Sequence, residues 1–160
     1  MARHEADRED LLEEARALVP RVEILSPEWS MPIVLGRRRD DFLSLYLGQD
    51  RVYHFDAEGG LRRAYVDGFL YRSAGSTLTR IRRTRTEEET TLLTQDLTSE
   101  ELSDFLIGMR SDVQRLSSSL EKQDYEVLRQ VPESGDPLPL LVPLVTQVLQ
   151  ARAPLSPALK

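Results

Sequence analysis

The turns between residues 43 and 85 constrain this chain more than any other feature. Five short runs of strand-forming residues, at about 42–47, 51–56, 61–66, 69–73 and 77–85, are separated by Gly48-Gln49-Asp50, Ala57-Glu58-Gly59-Gly60, Asp67-Gly68 and Ala74-Gly75-Ser76. A parallel neighbour needs a crossover of a dozen or more residues, so loops this short permit only antiparallel pairing and a meander. Asp67-Gly68, between Val66 and Phe69, is the strongest signal. A two-residue type I′ turn needs positive φ at both positions, which Asp-Gly adopts readily.

Loop length sets register, and register decides which side chains share a face. A two-residue loop pairs Val66 with Phe69, Ala64 with Tyr71 and Arg63 with Arg72. A four-residue loop at 57–60 pairs Asp56 with Leu61, His54 with Arg63 and Tyr53 with Ala64. A three-residue loop at 48–50 pairs Leu45 with Tyr53 and Leu43 with Phe55. One face then holds Leu43, Leu45, Leu47, Tyr53, Phe55, Ala64, Val66, Phe69 and Tyr71, a coherent core face. The other carries a row Ser44–His54–Arg63–Arg72, beside Tyr46, Val52, Tyr65 and Leu70. A three-residue loop at 74–76 sets Ile81 opposite Phe69 and adds Arg80 and Arg82 to that face. Arg63 opposite Arg72 repels at a cost of about 0.2–1 kcal/mol. Asp56 on the diagonal, an acid from another segment, or an anionic ligand would offset it.

The flanks supply helices. Residues 7–19 read as an amphipathic helix with Leu11, Leu12, Ala15, Leu18 and Val19 on one side, stopped by Pro20. Short strands are expected at 21–25 and 33–35, around a Pro-flanked loop that holds Trp29, and a further strand at 90–97 after the Thr86–Glu89 turn. Thr98-Ser-Glu-Glu101 has the capping-box spacing and opens a helix over 99–122, striped with Leu102, Phe105, Leu106, Met109, Val113, Leu116 and Leu120. After a linker at 132–137, residues 138–152 predict a last apolar helix, and 153–160 a flexible tail. The expected fold is α+β: an antiparallel β-meander of five to seven strands packed on one face by a long amphipathic helix, with additional N- and C-terminal helices. Residues 1–152 form one domain.

Composition bounds the chemistry. With 160 residues the chain can bury a core as one domain. It has no Cys, which excludes disulfides and thiolate catalysis. The charged N-terminus lacks a secretory apolar stretch, and no apolar run approaches 18 residues, so a cytoplasmic protein with no membrane role is expected. The net charge of −6 conceals a basic centre: residues 1–35 carry −4, 36–85 carry +5 and 86–160 carry −7.

Three functions fit these residues. The favoured one is a non-catalytic interaction protein that uses the sheet surface or the Trp29 loop, with a protein partner or a homodimer. A second is a binder of an anionic ligand or single-stranded nucleic acid through His54, Arg63, Arg72, Arg80, Arg82, Tyr46 and Tyr65, where guanidinium groups meet phosphate and aromatic rings stack on bases. Acidic flanks able to pair with those arginines weigh against it. A third is a small enzyme with a pocket around His54 and Asp56, for which no motif places a nucleophile. A metal site at His54-x-Asp56-x-Glu58 lacks a second His and puts Glu58 in a turn. Ser73–Thr77 lacks phosphate-loop spacing. No catalytic residue, metal or cofactor is therefore assigned.

Overall fold

The computed structural model describes residues 11, 13–27, 29, 31–38, 42–48, 50–85 and 90–156. Side chains at 83–85 and 90–92 lie outside that description, as do the expected helix start at 7–10, the turn at 86–89 and residues 157–160. In chain order come a short helix α1 (described at 11 and 13–16), β1 (Arg21–Leu25), β2 (Ile33–Gly36), β3 (Leu43–Leu47), β4 (Arg51–Phe55), β5 (Leu61–Val66), β6 (Phe69–Ser73), β7 (Leu78–Arg85), β8 (Thr90–Asp96), α2 (Ser99–Glu121), β9 (Glu126–Val131) and α3 (Leu138–Gln150). The class is α+β, with one antiparallel sheet of nine strands in the order β8-β7-β6-β5-β4-β3-β2-β1-β9.

The expectation of five to seven strands falls short. β1 and β2 extend the meander, and β9 is a strand that the sequence reading left unassigned. Its Glu126-Val-Leu-Arg-Gln-Val131 run has no clean alternation, because its pairing with β1 contains a bulge: Glu23 meets Arg129 but Ile24 meets Val127, leaving Leu128 extra.

Helix α2 leaves beside β8 at one edge and delivers the chain to β9 at the other. Its 23 residues make a rod about 34 Å long, close to the roughly 38 Å between the outer strands of a nine-stranded sheet. The capping box is formed: Glu101 N–H donates to Thr98 Oγ1 at 3.1 Å, and Thr98 N–H donates to Glu101 Oε1 at 2.9 Å. That bond to the Thr98 backbone holds the Glu101 carboxyl below its usual range. Met109, Val113, Leu116 and Leu120 of α2 join Leu141, Val145 and Val148 of α3 over the core face of the sheet. Among the described residues, no helix is long and apolar enough to cross a membrane.

The central registers agree with loop-length reasoning: Leu45↔Tyr53, His54↔Arg63, Arg63↔Arg72 and Val66↔Phe69 are all paired, and Asp67 and Gly68 have φ of 52° and 91°. Two turns depart from it. Asp56 Oδ1 accepts the Glu58 and Gly60 amides at 2.9 Å each, tightening the 57–60 turn. Phe55 therefore meets Leu61, with Arg62 as the extra residue. This bulge moves Leu61 from the polar face into the core, where it is fully buried, a gain of about 2 kcal/mol.

The second departure is at 74–77, which is a four-residue loop closed by Ala74 N–H to Thr77 O at 2.8 Å. Ser73 then meets Leu78, Tyr71 meets Arg80, and Ile81 faces Leu70 instead of Phe69. The one-residue shift buries Leu78 completely. It also carries Arg80 and Arg82 to the opposite face from Arg63 and Arg72.

The stretch read as a tail begins with a docked segment. Leu61 N–H donates to Pro154 O and Ser156 N–H to Leu61 O, both at 2.8 Å, and Leu155 is buried. Gly60 permits this approach, since a Cβ there would lie 2.9 Å from backbone atoms of Leu155 and Ser156.

Candidate interaction surfaces

Register assembles a polar line across the whole second face: Val131, Arg21, Gly36, Ser44, His54, Arg63, Arg72, Thr79 and Asp96, one residue from each strand. A parallel line, two residues along, runs Val34, Tyr46, Val52, Tyr65, Leu70 and Ile81. The two lines have different covers.

The apolar line lies under α1. Ala15 and Leu18 pack with Tyr46, Val52 and Tyr65 in a second cluster flanked by Leu11, Val34 and Leu70. Arg21 fixes this cover in place: Nη1 donates to the carbonyls of Arg16 and Leu18, and Nε donates to Glu23 Oε2 at 3.1 Å. A cation at the last carbonyls of a helix is electrostatically favourable. Gly36 makes room for Leu18, because a Cβ at 36 would stand 2.7 Å from Leu18 Cδ1. Tyr46 and Tyr65, expected as exposed stacking platforms, are therefore buried.

The polar line grades from buried to open. Ser44 is fully buried and His54 is 5% exposed, with Ser44 Oγ and His54 Nδ1 2.8 Å apart. Tyr46 packs edge-on against the His54 ring at 5.8 Å. Asp56 is drawn into its own turn, so the His54/Asp56 pair read from the sequence is not assembled as an acid–base couple. Arg63 is half-buried and Arg72 exposed. Among the described residues, Glu14 of the acidic flank reaches this region: its Oε1 accepts from Tyr46 Oη at 3.3 Å and from Arg38 Nη1 at 3.4 Å.

Arg80 and Arg82 stand on the core face near β8. Arg80 Nη2 donates to Gln95 Oε1 at 2.9 Å, its guanidinium lies 5.3 Å from the Phe69 ring, and Glu101 is 3.9 Å away. A continuous basic stripe of Arg63, Arg72, Arg80 and Arg82 does not form. Among the described residues, no three His, Asp or Glu side chains converge as a metal site.

A polar anchor absent from the sequence reading joins α2 to β4. The buried Asp112 carboxylate accepts Arg51 Nη1 at 2.9 Å and Tyr53 Oη at 2.8 Å. Its position was the available signal, because Asp112 is three residues after Met109 and four before Leu116 and so lies on the apolar stripe.

Burial, and then the Asp112 charge, push the Tyr53 hydroxyl far above the ordinary tyrosine value; burial and Glu14 do the same to Tyr46. A raised folded-state value stabilises the protein fully below the unfolded-chain pKa of about 10, and that contribution is lost as pH rises past it. Stability is therefore expected to fall above about pH 10, with Tyr46 and Tyr53 ionising only on unfolding. Ultraviolet titration of the native protein checks this, and ionisation of all five tyrosines near pH 10 in a folded chain would refute it.

Trp29 occupies the β1–β2 loop at the far end of the sheet. It is half-buried against the main core, with Arg115 stacked 4.6 Å from its ring centroid. The buried Ser26 and Ser119 hydroxyls, 3.2 Å apart, tie the same loop to α2. The free side of Trp29 lines an open cleft of about 610 Å³ with Leu25, Ser26, Pro27, Gln123, Asp124, Tyr125 and Glu126. Beside it, edge strand β9 exposes its first four residues, and Val127 and Leu128 keep 44% and 47% of their surface open. Leu25, across from Glu126, is 38% exposed. Trp29 stands out in the sequence; β9 does not, because its bulge breaks the alternation. No protein-family model, curated protein or solved structure matches this chain.

Proposed function

We propose that this chain is a non-catalytic interaction protein that docks a protein partner at the β9 edge and the adjoining Trp29 cleft. One observation carries the reading. β9 is a terminal strand whose outer backbone edge has no partner strand among the described residues, and it presents Val127 and Leu128 to solvent next to Leu25, Tyr125 and Trp29. Unpaired strand edges are templates for another strand, and soluble proteins usually blunt them with charge or cover. Side-by-side apolar residues on such an edge fit recognition by strand addition, with backbone bonds supplying affinity and side-chain contacts specificity.

The second face favours this reading over its alternatives. Ser44 and His54 are buried, and Ala15 and Leu18 pack over Tyr46 and Tyr65. The register also carries Arg80 and Arg82 to the face opposite Arg63 and Arg72, which separates the four arginines read as one track.

A photo-activatable amino acid at position 128 tests the surface in intact cells, with position 107 on α2, where Ile107 is 65% exposed, as the reference site. A discrete covalent adduct is expected from position 128 and none from position 107. Absence of an adduct from 128, or equal adducts from both sites, would reject β9 as the docking edge.

A further inference from the structure

Resting on the reading of this end as an interaction surface, we propose that the occupant of β9 is β9 of a second copy of this chain. The two strands run antiparallel about a two-fold axis that passes between Val127 and Leu128.

The symmetry imposes a strict condition. Two identical edge strands joined antiparallel in one sheet are related by an axis normal to the sheet, and that axis keeps each face on its own side. A residue can then sit opposite only a residue of the same face. In a regular strand, residues three apart point to opposite faces, so Glu126 and Arg129 could not meet across such an axis. The bulge removes the obstacle. Glu126 pairs with Leu25 and Arg129 with Glu23, and residues 23 and 25 are two apart on β1, so Glu126 and Arg129 share a face.

With the axis between Val127 and Leu128, Glu126 of each copy stands opposite Arg129 of the other, giving two cross-strand ion pairs. Val127 and Leu128 of both copies lie at the axis between them. These charges are uncommitted: among the described residues, neither Glu126 nor Arg129 makes a side-chain hydrogen bond or ion pair, and the nearby Glu23 is held by Arg21. On the opposite edge, among the described residues, Asp96 and Gln95 of β8 are bonded back to Thr79 and Arg80 of β7. A bulge that ordinarily spoils an edge for pairing here makes the edge complementary to itself.

Charge reversal distinguishes this pairing from any other association. The purified full chain is expected to sediment as a dimer. Glu126→Arg leaves two bases facing two bases, and Arg129→Glu leaves acids facing acids, so each variant should weaken dimerisation about tenfold or more. An equimolar mixture of the two variants recreates both opposite-charge pairs and should recover dimers of wild-type affinity. Both positions are exposed, and thermal melting of each variant confirms that it is folded.

A wild-type chain that is monomeric at roughly millimolar concentration, single variants that dimerise as wild type does, or a mixture that fails to recover would each overturn the self-pairing. A monomer whose position 128 still cross-links to a different protein overturns the second copy alone. A monomer with no cross-link overturns the interaction surface as well.

Discussion

Asp112→Ala is expected to destabilise the fold by about 3 kcal/mol, the upper range for hydrogen bonds to a charged group. At this chain length that corresponds to a fall in melting temperature of roughly 9 °C. The carboxylate is buried on the sheet side of α2, and its removal leaves the buried Tyr53 hydroxyl without its acceptor. Arg51 is 44% exposed and can turn to water, so the loss falls mainly on Tyr53 and on the helix–sheet contact. Asp112→Asn keeps an acceptor for Tyr53 but loses the charge, and should cost about half as much. A double-mutant cycle with Arg51→Ala measures the coupling directly. An Asp112→Ala protein within about 0.5 kcal/mol of wild type, the range of ordinary surface changes, would show that the cluster does not anchor α2.

Gly36→Val should release α1 from the second sheet face. The added Cβ would lie 2.7 Å and 2.8 Å from Leu18 side-chain atoms and 3.0 Å from the Pro20 carbonyl, so the 15–20 segment must move. Leu18 is 1% exposed, and losing such burial costs about 2–5 kcal/mol. Leu18→Ala removes the same contact without a clash and separates loss of burial from steric expulsion. Trypsin cleavage after Arg16, which is exposed but beside the docked Ala15, should accelerate sharply in Gly36→Val and less in Leu18→Ala. Unchanged cleavage in both would mean that Leu18 and Gly36 do not hold the cover.

Asp67-Gly68 dictates its own backbone, so the Arg63↔Arg72 pairing followed directly from residue types. The 74–77 loop did not, because Ala-Gly-Ser-Thr accommodates three or four loop residues. What selects four is whether Leu78 or Ile81 enters the core, a packing choice that local propensity does not contain. That single residue of register separated Arg80 and Arg82 from Arg63 and Arg72. Asp112 was legible as an acid on an apolar stripe, but its partners on β4 lie 61 and 59 residues away in sequence.

By itself, the amino-acid sequence determined the antiparallel meander, the central registers and the capped helix over its core face, because short turns, alternation and caps act between neighbours in the chain. The tertiary structure alone decided that α1 covers the tyrosines, that His54 and Ser44 are buried, and that β9 completes the sheet edge. Those outcomes come from distant segments competing for the same apolar surface. In that competition Leu18 fills the space above Gly36, Leu61 and Leu78 take core positions, and Val127 and Leu128 are left facing water.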